Sequence, residues 1–280
     1  MNRKVEMPDW DKVAGHYDKK GEDDLNYLSA VDKRIVHHHS GIFGGDDILF
    51  DRDYQEEELL KMLGESEDRL THLGAKALEL KNSRGFDCGC GRGGSSFILS
   101  RDYGHTMMGI TISDTQLEFA RSMALQLNLQ ESARFEKMNI FSVNLDHLDG
   151  QFDFTWACES TEYMPDYNKL FGKWYKLLKK GGKALIFAIT YRESQLSFIE
   201  KELRMIDDIY ETRIGEFNTY LESAVNSGFV IDDLIGLEEK IIPYYRLRLK
   251  SENKRGSEDA LLKGLENGYF KYSLMLFRKL

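Results

Sequence analysis

Proline is scarce, three residues in 280, and none lies in a stretch that reads as a linker. One domain with additions is therefore expected rather than a string of modules. Cysteine is equally rare. Of the three, Cys88 and Cys90 flank Gly89, too few for a disulfide framework and without zinc-site spacing, so a reduced, cytoplasmic protein without a metal centre is expected. Long apolar runs are missing too: the longest, "ALIFAI" from Ala184 to Ile189, falls far short of the roughly 20 residues of a spanning helix. The start, "MNRKVEMPDWDKVAGHYDKK", has no apolar h-region, so no secretory signal is expected. Positive charge is in deficit, with 38 Lys and Arg against 47 Asp and Glu and a net charge of −9. That balance argues against a nucleic-acid partner. There are no repeats and no low-complexity tracts, and 41% hydrophobic residues suffice for one good core.

The most informative stretch is "FDCGCGRGGSS", Phe86 to Ser96, four glycines behind an aspartate. It stands between a strand expected at Arg84–Cys88 and a helix expected in "SSFILSRDYG", and glycines there let a ligand approach the backbone. Gly89, Gly91 and Gly94 also satisfy the G-x-G-x-x-G of dinucleotide sites, a weak signal alone. Downstream, strands expected in "TMMGIT", "ARFEKMN", "QFDFTWAC" and "KALIFAIT" alternate with helices in "SDTQLEFARSMALQLN" and "DYNKLFGKWYKLLKK", the latter ended by Gly181-Gly182. Then come a helix in "FNTYLESAVNSG", a strand in "FVIDDLIGL" and a terminal strand in "YFKYSLMLFRKL" that fits a sheet edge. The fold class is thus α/β, a mostly parallel sheet with helices on both faces.

Two additions flank this core. Residues 1–75 read as an N-terminal helical extension or lid, with Trp10, Val13 and Tyr17 on one helix face and "HHHSGIFGGDD" behind it. Residues 76–280 read as the main domain, with a polar helical cap insertion at about 191–216. Both sit where an α/β sheet keeps its ligand. The long polar connection behind the first helix suggests that it docks on a neighbouring copy, so a homo-oligomer with an exchanged N-terminal segment is expected.

The aspartate separates two readings of the glycine loop. A nicotinamide site usually has an apolar residue where Asp87 stands and an acid ending the second strand, where this chain has Thr111. A buried acid needs a cation or donors, and the ammonium of S-adenosylmethionine is one. Asp87-x-Gly89-x-Gly91-x-Gly93 resembles the first motif of the Rossmann-like methyltransferases, and Gly181-Gly182 resembles their turn before the fifth strand. "GITISDTQ", Gly109 to Gln116, is similar to a segment of the cyclopropane synthase and sterol C-methyltransferase group. That resemblance implies that Thr111, Ser113 and Gln116 meet cofactor hydroxyls and carboxylate. It further implies that Tyr17 of "HYD" closes over the cofactor, and that Asn139 and Ile140 of "MNIF" hold its adenine.

"DCGCGRGGS", "ESTEY", "KKGGKALIF", "PYYRL", "LLKGLENGYFKYSL" and "HHHSGI" resemble, in the same order, segments of the geranyl diphosphate C-methyltransferase family and of the related teleocidin-type prenyl-indole methyltransferases. The resemblance covers nearly the whole chain. It implies methylation of a prenyl double bond through a carbocation that Glu159, in "ACEST", stabilises and deprotonates. Aromatic candidates for the substrate pocket are Trp156, Tyr163, Tyr191, Phe198, Tyr244 and Tyr245. His37, His38 and His39 are consecutive and point different ways; by resemblance they line the roof, with His39 and Ser40 facing cofactor or substrate.

Three departures bear on the substrate. Ser40 replaces a tyrosine of the geranyl diphosphate enzymes, Cys158 an asparagine, and Thr71 near "EDRLTHLG" their metal-associated glutamate. A diphosphate needs cations to neutralise it, so a hydrophobic prenyl chain already attached to another scaffold, such as an indole alkaloid, is expected, and magnesium is implied only for a diphosphate. A small-molecule O- or N-methyltransferase and a cofactor-binding regulator without turnover remain alternatives.

Overall fold

A computed structural model describes residues 7–20, 24–44, 52–254 and 256–280. Residues 1–6 at the chain start, and 45–51 with the end of "HHHSGIFGGDD", lie outside the described residues. The N-terminal part forms α1 (Trp10–Asp18), α2 (Leu25–Ser29) and α3 (Glu56–Leu78). The alternating core follows as β1 (Arg84–Cys88), α4 (Gly94–Tyr103), β2 (Thr106–Thr111), α5 (Asp114–Gln126), β3 (Ala133–Lys137), β4 (Phe152–Cys158), α6 (Tyr167–Leu177) and β5 (Leu178–Tyr191). The chain ends with α7 (Leu196–Tyr210), α8 (Phe217–Asn226), β6 (Phe229–Gly236), α9 (Glu238–Lys250), α10 (Glu258–Glu266) and β7 (Phe270–Lys279).

One sheet, in the order β3-β2-β1-β4-β5-β7-β6, organises the fold. Its first five strands are parallel, and β7 runs antiparallel to both of its neighbours. Phe86, Phe154, Trp156, Leu185 and Phe187 are wholly buried, as expected of strands covered on both faces. The register sets Asp87 beside Gly109 and Trp156, and Cys158 beside Phe187. The carboxyl ends of β1, β2 and β4 thereby form one rim, the crevice where open α/β sheets bind ligands.

Two sequence expectations shift. The terminal strand is not an edge: β7 lies inside the sheet, with Leu274, Met275 and Phe277 buried on both faces. The edge is β6, whose central Ile231–Leu234 run is exposed, carries Asp232 and Asp233, and breaks register between Ile231 and Asp233. Charge and a bulge are what protect an open edge from further pairing. Secondly, α6 stops at Leu177, before the glycine pair, and Gly181, at φ 76°, turns the early part of β5 where it shifts register against Phe152 and Phe154. A left-handed residue inside a strand is a glycine role.

The roof is larger than the sequence suggests. The expected cap holds α7, which is amphipathic rather than polar and buries Ile199, Leu203 and Ile206. A second roof piece, the α9–α10 pair between β6 and β7, has no counterpart in the sequence reading. The boundary expected after residue 75 falls inside α3, whose Leu59, Leu63, Leu70 and Leu78 share one core with Trp156, Leu185 and Phe187. Among the described residues, no helix is long and apolar enough to cross a membrane.

The seat of α3 on the sheet is close. A Cβ at Gly74 would stand 2.5 Å from the Trp156 ring and 2.7 Å from the Phe187 ring. Gly74→Val is therefore expected to lower stability by roughly 1–3 kcal/mol through overpacking. Gly172→Ala in α6, where nothing lies within 4 Å, should add up to about 1 kcal/mol of helix propensity. Thermal melts followed by circular dichroism check both; a Gly74→Val midpoint at or above that of the native chain would contradict this packing.

Candidate active site

The loop between β1 and α4 is built by left-handed backbone at Gly89 (φ 87°), Gly91 (φ 54°) and Gly93 (φ 88°). Gly89 and Cys90 donate their N–H groups to the Ile110 carbonyl at 3.1 and 2.9 Å, fastening the loop to β2. Behind it Asp87 is 2% exposed and accepts from the Ser96 hydroxyl at 2.6 Å. Burial pushes this carboxyl up to about 7 against that one donor. No cationic side chain among the described residues forms a salt bridge with it, so the charge calls for a cation from outside the chain.

Above the loop opens a first cavity of about 80 Å³. Trp10, Val13 and Tyr17 of α1 form one wall and Gly89 and Gly91 another. Thr111 and Gln116 close it beyond β2, Asn139 and Ile140 beyond β3, and Glu159 beyond β4. The Thr111 hydroxyl donates to the Gln116 side-chain oxygen at 2.7 Å, and Asn139 Oδ1 accepts from the Phe141 N–H at 2.9 Å. Glycines, an acid awaiting a cation and this polar and apolar perimeter fit S-adenosylmethionine as the resemblance implies.

Helix α1 covers this cavity on its own chain, whereas the sequence suggests docking on a neighbour. Trp10 packs on Phe141 at 5.9 Å between ring centroids, and Asp18 accepts from the Ser113 hydroxyl at 2.5 Å and the Thr115 N–H at 3.2 Å. Those bonds occupy Ser113, which also caps α5 through the Gln116 N–H at 3.1 Å. Ser113 thus straps the lid and lies outside the cavity lining. Gly93, also expected at the cofactor, instead packs against Phe97 and Phe135.

A second cavity, of about 110 Å³, lies under α7, α9 and α10. Tyr17, His38, Glu159 and Tyr163 line both cavities, and the Tyr17 and Tyr163 hydroxyls meet at 2.6 Å. Glu159 holds a left-handed conformation, φ 48°, that costs a non-glycine residue about 1 kcal/mol or more. Its N–H donates to the Phe187 carbonyl at 2.9 Å. Its carboxylate accepts from Tyr272 OH at 2.6 Å, Ser40 N–H at 2.8 Å and Ser40 Oγ at 3.3 Å. Burial raises its pKa above the ordinary value, while Tyr272 and then Ser40 hold it down. The result is a desolvated, oriented carboxylate, the state a general base needs.

Several expected residues take other places. Ser40 and His39, expected to face cofactor or substrate, line the second cavity, and His39 also lines a small cavity beside Asp87, Gly89 and Gly91. Ser40 serves Glu159 and meets Tyr245 OH at 2.9 Å, and His39 bonds the Ser40 carbonyl at 2.8 Å. It is His38 that reaches both cavities, while His37 meets Asp68 at 2.8 Å. Tyr163, Tyr244 and Tyr245 do line the second cavity. Trp156 does not; it is wholly buried under α3 with its ring 5.8 Å from Phe187. Tyr191 is buried at the end of β5, where its N–H donates to the Gly215 carbonyl. Phe198 is 66% exposed and stacks on Tyr269, because the buried face of α7 runs through its neighbour Ile199.

Sequence reasoning misses four acceptor-side residues. Glu162 lines the second cavity, accepts from the Ile189 N–H at 3.0 Å, and is pushed up to about 8 by burial and then by Glu159. Glu67 stands one turn before Thr71 and accepts from Tyr244 OH at 2.9 Å; burial pushes it to about 8. A carboxyl is therefore retained on this face of α3 although Thr71 has none. Arg248 and Glu258 complete the set. Glu162 lies within "ESTEY", Glu67 within "EDRLTHLG", Arg248 directly after "PYYRL" and Glu258 shortly before "LLKGLENGYFKYSL", the marks that could have found them.

Residues 86–186 match the family model described as "Methyltransferase domain". A geranyl diphosphate 2-C-methyltransferase of Saccharopolyspora erythraea is 28% identical over 255 residues, 89% of this chain and 87% of the relative. Among solved structures, a geranyl diphosphate methyltransferase with GPP and sinefungin superposes with a TM-score of 0.88 at 24% identity, over 97% of this chain and 98% of the other. The geranyl diphosphate C-methyltransferase of Streptomyces coelicolor A3(2), solved with Mg²⁺, geranyl-S-thiolodiphosphate and S-adenosyl-L-homocysteine, gives 0.87 at 24% identity over 97% and 98%. The sheet and its helices are the Rossmann-like methyltransferase fold.

Because Asp87 titrates near 7, it offers a negative charge to a cofactor ammonium only above that pH. Affinity for S-adenosylhomocysteine is therefore expected to climb from pH 6 to 8, and Asp87→Asn should lose that rise and bind roughly ten- to a hundredfold more weakly. Calorimetry across this range decides it; equal affinities in a folded Asp87→Asn protein would remove Asp87 from the cofactor site.

Proposed function

We propose that this chain, a methyltransferase-domain homologue of the geranyl diphosphate 2-C-methyltransferases, methylates a double-bond carbon of a prenyl chain carried on a larger scaffold such as an indole alkaloid. S-adenosylmethionine supplies an electrophilic methyl group: the alkene π pair forms the new C–C bond as the S–CH3 bond breaks, which releases S-adenosylhomocysteine and leaves a tertiary carbocation on the substrate. The observation that carries the reading is the place of Glu159, among the described residues the one carboxylate lining both cavities.

Asp87 and the glycine loop hold the donor's amino acid portion, and Asn139 and Ile140 hold its adenine. Tyr17 and Tyr163 screen the shared wall from water. Once a carbocation forms, Glu159 stabilises it by charge and then takes the proton that restores an alkene, while Tyr272 and Ser40 keep the carboxylate aimed. Ring faces of Tyr163, Tyr244 and Tyr245 add cation–π stabilisation of roughly 0.5–2 kcal/mol each where they face the cation. Cyclisation before proton loss belongs to the same chemistry.

A second reading, a prenyl diphosphate with magnesium, is favoured by the substrates named for the relatives. The acceptor cavity supports the first. Of its lining carboxyls, Glu159 and Glu258 stand against Lys20 and Arg248 while burial holds Glu162 largely neutral, so the lining offers a diphosphate no net positive charge. An O- or N-methyltransferase would place its new methyl on a heteroatom, so NMR of the product separates that class.

Glu159→Gln keeps the shape but cannot accept the proton. Its kcat is expected to fall roughly a hundredfold or more with cofactor affinity unchanged, and any residual product should show altered alkene isomers or rings. Normal turnover to the native product would make Glu159 a bystander. Tyr272→Phe removes the strongest donor holding the Glu159 pKa down. The base must be deprotonated to act, so the acid limb of its kcat profile should move to higher pH; an unshifted limb would show that the Tyr272 bond does not tune the base.

A further inference from the structure

The acceptor cavity carries a buried ion pair that the proposed chemistry does not use. The Arg248 guanidinium of α9 lies 2.8 Å from Glu258 Oε1 of α10, with side chains 9% and 1% exposed. Another guanidinium nitrogen donates to Tyr244 OH at 3.3 Å, and that hydroxyl donates to Glu67 Oε1 at 2.9 Å. Glu258 Oε2 accepts from the Gly256 N–H at 2.7 Å. Both members of the pair line the cavity in which Glu159 lies.

Such a pair is expensive. Taking each ion out of water costs several kcal/mol, and apolar residues of like size often stabilise as well or better. Its retention therefore points to specificity. A guanidinium is a good phosphate ligand when its fork is open to two oxygens. Here Nη2 faces Glu258 and Nη1 faces Tyr244, while Nε has no partner among the described residues; a phosphate reaching Nε would still meet the Glu258 charge beside that of Arg248. An uncharged head group meets neither difficulty and can use the phenol and carboxyl groups as partners.

We propose that the Arg248–Glu258 pair is the head-group selector of the acceptor cavity, admitting an uncharged polar scaffold behind the prenyl chain and turning away a diphosphate. The role rests on the prenyl-acceptor reading of this cavity, but its test needs no turnover.

Inorganic pyrophosphate and geranyl diphosphate are titrated calorimetrically, with and without Mg²⁺, into the full chain loaded with S-adenosylhomocysteine. Glu258→Gln releases the guanidinium and is expected to tighten both ligands roughly ten- to a hundredfold, the span of a charge-assisted bond, without changing S-adenosylhomocysteine affinity. Arg248→Met/Glu258→Leu removes both charges at similar volume, a replacement that buried pairs tolerate, and should bind pyrophosphate as the native chain does. Weaker binding by tenfold or more in that double variant would mean that Arg248 already holds phosphate, and would overturn the proposal. So would a native chain that binds geranyl diphosphate tightly and gains nothing from Glu258→Gln. If the diphosphates behave as expected while no alkene is methylated, the functional reading fails and only the exclusion of diphosphate by the pair stands.

Discussion

The clasp on Glu159 is the constraint around which the rest is arranged. Its three donors come from Ser40, before the first strand of the sheet, and Tyr272, on the last. A carboxylate taken out of water without partners would protonate or move; these donors keep it aimed while burial keeps it basic. The sheet order makes the clasp possible, because β7 enters between β5 and β6 and carries Tyr272 opposite Ile189.

The same carboxylate divides two cavities of different character. On the donor side the walls are glycine backbone, short polar side chains and the apolar face of α1. On the acceptor side they are phenol rings and carboxyl groups under a helical roof. His38, Tyr17 and Tyr163 belong to both, so the helix that covers the first cavity also shapes the second. The strap from Asp18 to Ser113 and Thr115 couples that lid to the N-terminus of α5, where a carboxylate is also favoured by the helix dipole.

Burial decides the charge of the acceptor side. Glu67 and Glu162, both pushed to about 8, are largely neutral at pH 7, and Arg248 is matched by Glu258. What remains is a cavity rich in hydroxyls and rings, with Glu159 as its anion and Lys20 at its lining. On the function proposed above, a carbocation would meet Glu159 there as a close negative charge, in surroundings where water does not screen it.

The strand–glycine–helix beat and the acid before the loop were legible in the linear order, because periodicity and turn chemistry are local matters. The perimeter of Thr111, Gln116, Asn139 and Ile140 and the place of Glu159 after β4 were marked only by resemblance to a known family. The aromatic candidates were not equally legible, because whether Trp156, Tyr191 or Phe198 faces core, sheet end or solvent depends on which helix covers it. The inner place of β7, the α9–α10 roof, the clasp by Ser40 and Tyr272, and the Arg248–Glu258 pair arise from contacts between segments far apart in the chain or from the way helices fold over the sheet. Composition and spacing carry no record of those meetings, and only the packed chain sets burial, and with it the charge of Asp87, Glu67 and Glu162.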